Sequence, residues 1–113
     1  MNKRIKAKWV KALRSGKYKQ ARGVLRNAFG AMCCMGVLTD IRTLETGIRY
    51  RGDGDCPDDS YPTRATCKWA GIPYCPPGDE HEVPDTNEMA TLIRMNDAGS
   101  RFKKIANWIE KHL

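Results

Sequence analysis

Apolar side chains return every three to four positions near both ends of the chain, and that rhythm is lost through much of the middle. In "NKRIKAKWVKALRSGK", Ile5, Trp9, Ala12 and Leu13 share one stripe while Lys3, Arg4, Lys8, Lys11 and Arg14 cover the other side, which predicts an amphipathic helix. Asn2 can cap its start and Gly16 can stop it, with Lys17 and Lys19 near the negative end of the helix dipole. The stretch after Gly99 and Ser100 repeats the pattern. Phe102, Ile105, Ala106, Trp108, Ile109 and Leu113 oppose Lys103, Lys104, Asn107, Glu110 and Lys111. Between these ends, "AMCCMGVLTDIRTLETG" predicts a helix through Met32, Met35, Leu38, Ile41 and Leu44, with Gly47 as its stop. Its start is apolar all round, which marks it as the most buried element.

The remaining segments read less regularly. "YKQARGVLRNAFG" breaks its apolar pair with glycine and arginines and carries a turn signal, so a short hairpin or a loop is expected. "PTRATCKWAGIP" can hold a short helix from Pro62 or Thr63 to Gly71. "NEMATLIRMND" predicts another, capped by Asp85 or Thr86, with Met89, Leu92 and Ile93 on its inner face. Two stretches rich in Gly, Asp and Pro, at about 48–62 and 72–86, read as irregular acidic loops. The fold class expected is a mainly helical α+β domain spanning 1–113. Its terminal helices would pack through Trp9 and Trp108 on the central buried helix.

Charge changes this picture because it is unevenly placed. The net charge is +7, yet residues 1–30 hold ten lysines and arginines and no acid. Residues 31–62 and 63–90 are each net acidic, and 91–113 are mildly basic. Such a gradient implies either a polyanionic partner or attraction between the first segment and the middle. The candidate contact residues are Lys3, Arg4, Lys8, Lys11, Arg14 and Lys17, facing a host protein or a nucleic acid. No apolar run approaches the roughly 20 residues that cross a bilayer. Basic residues interrupt the first thirty positions too often for a secretory signal. No membrane contact is expected, and the five cysteines are expected to be reduced thiols in a cytoplasm.

Motifs for chemistry are sparse. Asp53, Asp55 and Asp58 match calcium-loop spacing only in part: counted from Asp53, the required glycine position is Asp58 and the closing glutamate position is Arg64. Cys56, Cys67, Cys75 and His81 make a candidate zinc set without a close ligand pair, and Cys56 with Cys75 a candidate disulfide; free thiols are the third reading. Cys33 and Cys34 read as small core residues. No phosphate loop, nucleophile elbow or histidine-pair zinc motif occurs, so no catalytic residue and no cofactor are assigned. A helix-turn-helix reading has two registers. With the terminal helix first, no second helix follows Leu113. With 87–97 first, the terminal helix becomes the reader and offers Lys103, Lys104, Asn107 and Lys111.

The order of "KWVKALRSGKYKQARGVLR", "CCMGVL", "CKWAGI" and "MNDAGSRFKKIANWIEKHL" resembles a group of small proteins of tailed phages and prophages. These carry variants of "W-x-x-A-L-R-S-G-x-Y-x-Q", "F-C-C-L-G-V-L" and "L-N-D-x-G-x-S-F-x-x-I-A-x-x-I". Both ends match well, and the likeness runs out from Arg49 to Asp85. Where that pattern sets serine before phenylalanine and an acid beyond it, this chain has Arg101 and Lys104, so Ser100 would cap one position early. The resemblance implies a protein at work in the host bacterial cytoplasm during infection or lysogeny. By analogy with small phage proteins that lack catalytic groups, it would act by stoichiometric binding, as an anti-defence or host-takeover inhibitor.

Overall fold

The computed structural model describes residues 1–47, 62–74 and 87–113, and these hold five helices. Helix α1 runs Lys3–Arg14, α2 Cys34–Thr46, α3 Arg64–Ala70, α4 Glu88–Asp97 and α5 Phe102–His112. Local chemistry sets most of the ends. The Asn2 side chain accepts the Ile5 N–H at 3.0 Å, and Thr63 Oγ1 accepts the Thr66 N–H at 3.1 Å. Gly47 and Gly71 close α2 and α3 in the left-handed region, φ +75° and +76°, where a side chain would clash with its own backbone.

Two expected caps are corrected. Helix α4 starts from Asn87, whose Oδ1 accepts the Ala90 N–H at 3.0 Å, so Asp85 and Thr86 lie outside both the helix and the described residues. Ser100 does not cap α5. Its N–H donates to the Met95 carbonyl, ending α4, and Arg101 holds the α5 N-cap position without a side-chain bond.

Helix α2 is the centre. Its residues Cys34 to Thr39 are all buried, and it touches α1, α3 and α4, while α1 lies most extensively along α5. Trp9 is fully buried and its Nε1–H donates to the Cys34 carbonyl at 3.0 Å, locking α1 to the start of α2. Burying an indole of that size contributes on the order of 4–6 kcal/mol before entropy is counted. Trp108 does not mirror it. That ring is half-buried beside His112, 4.6 Å between centroids, and Phe102, Ile105 and Ile109 carry the α5 side of the core. Leu44 also leaves the expected stripe: it is 75% exposed, two positions beyond Arg42, the last buried residue of α2. On α1, Val10 is buried where the stripe favoured Ala12, which is half-buried.

The stretch from Gln20 to Met32 is an irregular loop rather than a regular hairpin. Two isolated bridges, Gln20 to Met32 and Arg26 to Met32, are the β-structure among the described residues, so the fold is mainly helical. Leu25, 1% exposed, pushes into the core beside Gly36, where an added Cβ would lie 2.0 Å from the Leu25 carbonyl oxygen. That approach explains a glycine inside a helix that would otherwise favour alanine by about 1 kcal/mol.

Candidate functional site

The buried polar groups bind the chain to itself. Asn96 is 1% exposed, at the end of α4. Its Oδ1 accepts from Gln20 Nε2 at 2.9 Å and from the Cys34 N–H at 3.2 Å, and its Nδ2 donates to the Ala21 carbonyl at 2.8 Å. Gln20 Nε2 also donates to the Ser100 carbonyl, and Asp97 Oδ1 accepts the Gly23 N–H. Tyr18 donates its hydroxyl proton to Asp40 on α2 at 2.7 Å. The loop at Gln20 and Ala21, the start of α2 and the turn between α4 and α5 are therefore hydrogen-bonded at one junction. Their polar residues hold helices and loop in register.

The described thiols are equally structural. Cys33, Cys34 and Cys67 are buried thiols outside any disulfide. Burial pushes Cys33 up to about 11, against the lowering effect of the N–H groups at its sulfur, and burial raises Cys34 well above the usual thiol range. Both stay protonated at neutral pH and are poor nucleophiles. Cys33 Sγ caps α2 by accepting the Gly36 N–H, and the Cys67 thiol donates to Met89 Sδ at 3.7 Å. Among the described residues no three metal-ligating side chains come together. Cys56, Cys75 and His81, like Asp53, Asp55 and Asp58, lie outside the described residues.

The charged surface is the remaining candidate, and the structure divides the predicted set. Arg4 and Lys8 both pair with Glu45 of α2. Hydrogen bonds from Arg4 and then Lys8 hold the Glu45 carboxyl below the usual range, and the same bond raises Arg4. Arg14 pairs with Glu110 of α5 and donates to Asn107 at 2.7 Å. Lys3, Lys11 and Lys17 have no acidic partner among the described residues. Three of the six thus bind neighbouring helices, and the other three have no such tie among the described residues.

Lys3, Lys11 and Arg14 are brought together around an open groove of about 860 Å³ beside the end of α5. Ala7 and Val10 form its floor and Leu113 its far wall. Lys6 joins them, although its place in the sequence did not mark it for this surface. Its Nζ donates to the Glu110 carbonyl at 3.2 Å, where a cation suits the negative end of a helix. Lys17 is not part of this lining. The terminal-helix face offers exposed Lys103, Lys104 and Lys111, whereas Asn107 is taken by Arg14.

Charge is spread unevenly along the chain. The described residues carry eighteen lysines and arginines against five acids, while the two acidic stretches at 48–61 and 75–86 carry two against eight. Four of the five acids already have partners within the fold: Asp40, Glu45, Asp97 and Glu110. With a net charge of +7, the chain as a whole attracts anions and repels cations, more strongly at low salt. No helix of the described residues is long and apolar enough to cross a membrane.

No curated protein and no solved structure matches the chain. The family model described as Domain of unknown function (DUF8296) matches residues 1–113, and the chain belongs to that family.

Proposed function

We propose that this protein is a phage-borne accessory factor that acts by stoichiometric binding to an anionic host macromolecule, in the host bacterial cytoplasm, as an anti-defence or host-takeover inhibitor. The phage setting rests on the motif resemblance. The binding role rests on one observation: Lys3, Lys6, Lys11 and Arg14 line one groove, in a chain of net charge +7 that has no acid before Asp40. The groove lined by Lys3, Lys6, Lys11 and Arg14 supplies the contact surface, its apolar floor adding area that water would leave. Catalysis plays no part in this reading, because the buried polar groups and thiols described above are committed to the fold.

Affinity capture from infected host cells, with and without nuclease, tests it. The expected result is one host partner retained near one to one, released as salt rises, and lost by the Lys3→Glu/Lys11→Glu variant. Equal capture by that variant would overturn the reading. Nuclease treatment sorts the partner's class: a survivor is an acidic protein. A second reading, nucleic-acid binding through the basic first helix, is favoured by Lys3, Lys11 and Lys17, which have no acidic partner among the described residues. It predicts loss of capture on nuclease treatment.

A further inference from the structure

The loop from Lys19 to Ala31 lies outside the α1 groove and has its own character. Phe29 is 93% exposed, while the chain's other phenylalanine, Phe102, is buried. A single exposed apolar side chain is ordinary. What sets Phe29 apart is the backbone beneath it. Asn27 Oδ1 accepts the N–H groups of Phe29 at 2.9 Å and Ala31 at 3.0 Å. The Asn27 N–H donates to the Ala31 carbonyl at 2.9 Å, and the Gly30 N–H to the Asn27 carbonyl at 3.1 Å. The ring therefore stands on a turn closed by four hydrogen bonds, and ordering it on a ligand costs little further entropy.

The loop is also fastened to the body and cationic. Its Ala21 N–H donates to the Met32 carbonyl, its Gly23 N–H to Asp97, and Leu25 is buried. Lys19, Arg22 and Arg26 are exposed, and no acid occurs from residue 1 to residue 39. The Arg22 guanidinium lies over Gly99 between α4 and α5. Asp97 meets the loop through the Gly23 N–H and forms no ion pair with Arg22.

We propose that this loop is a stacking platform for an unpaired base, so that the anionic partner is a single-stranded nucleic acid. The inference rests on the anionic-partner reading above and names the partner's class. A single strand presents what the loop is shaped for: flat base faces at one end of each unit and a phosphate at the other. A duplex hides its base faces. An apolar protein pocket would welcome the ring but leave the charges of Lys19, Arg22 and Arg26 unmatched.

The test uses the full chain with a fluorescein-labelled oligothymidylate of about twelve nucleotides, near the middle of known site sizes, and a duplex of equal length. Polarisation at low salt should show tighter binding to the single strand. Phe29→Ala should weaken that binding by roughly five- to 150-fold, the usual range for one stacked base, with an unchanged thermal melt. Phe29→Trp should keep it. Arg22→Gln/Arg26→Gln should lower the slope of log affinity against log salt by roughly 0.7 for each phosphate no longer neutralised. Equal affinity for duplex and single strand, or no effect of Phe29→Ala, overturns the stacking proposal and leaves the anionic-partner reading standing. Absence of binding to either oligonucleotide overturns the stacking proposal too, and the capture experiment then judges the broader reading separately.

Discussion

Asn96 sits where the loop at residues 20–21, the first N–H of α2 and the end of α4 meet, and its amide is used from both ends. An aspartate there keeps the acceptor but loses the donor to Ala21, and it places a charge at a position 1% exposed. Asn96→Asp should therefore lower stability by on the order of 3 kcal/mol, read as a shift in the urea midpoint with an unchanged slope. Tyr18 makes a pH-dependent prediction. Its phenol is raised from the usual 10.0 to about 12, first by burial and then by its bond to the Asp40 carboxylate. Between those values the unfolded chain releases the proton and the folded chain keeps it, so unfolding gains and stability falls with rising pH. Below pH 10 the contribution is fully present. Alkaline titration followed by tyrosinate absorbance should show one of the four tyrosines ionising last, and Tyr18→Phe should remove that step.

At the scale of elements, Glu45 decides how much of the α1 face is available. It draws Arg4 and Lys8 back toward α2 through exposed ion pairs, which add little stability because water and salt screen them. Glu45→Gln should leave the melting temperature within error of the parent and strengthen binding to the captured host partner at low salt, since two cations are released. Unchanged binding would show that Arg4 and Lys8 lie off the contact surface. Helix caps such as Asn2, Thr63, Gly47 and Gly71 were legible in the sequence because a cap is a bond within a few residues. Asn87 was harder, since Asp85, Thr86 and Asn87 are all competent caps in a row and only the packing of Met89 and Leu92 selects one. Leu44 was misplaced on the core stripe, while Trp108 packs against the core from its edge: periodicity gives a face and says nothing of how deep each position lies. The Glu45 pairings and the Lys6 hydrogen bond were not legible at all, whereas NAFG signalled the turn at Asn27 but not the bonds of its side chain. Each depends on which elements adjoin or on a side chain bending back to its own backbone.

For the whole molecule, the helices enclose a continuous core in a body of 32 × 31 × 29 Å, and most of the positive charge is left outside. A separation of that kind weakens the folded state by self-repulsion and favours association with an anionic surface. The sequence exposed the asymmetry but not its final form, because cations drawn back by Glu45 and Glu110 cannot be told from free ones by spacing. The most direct measurement is the dissociation constant for the captured host partner as a function of salt, for the parent chain and for Lys3→Glu/Lys11→Glu. The account predicts steep weakening with salt for the parent and a shallower slope, with much weaker binding, for the variant. Matching curves for the two proteins, or an affinity indifferent to salt, would contradict it.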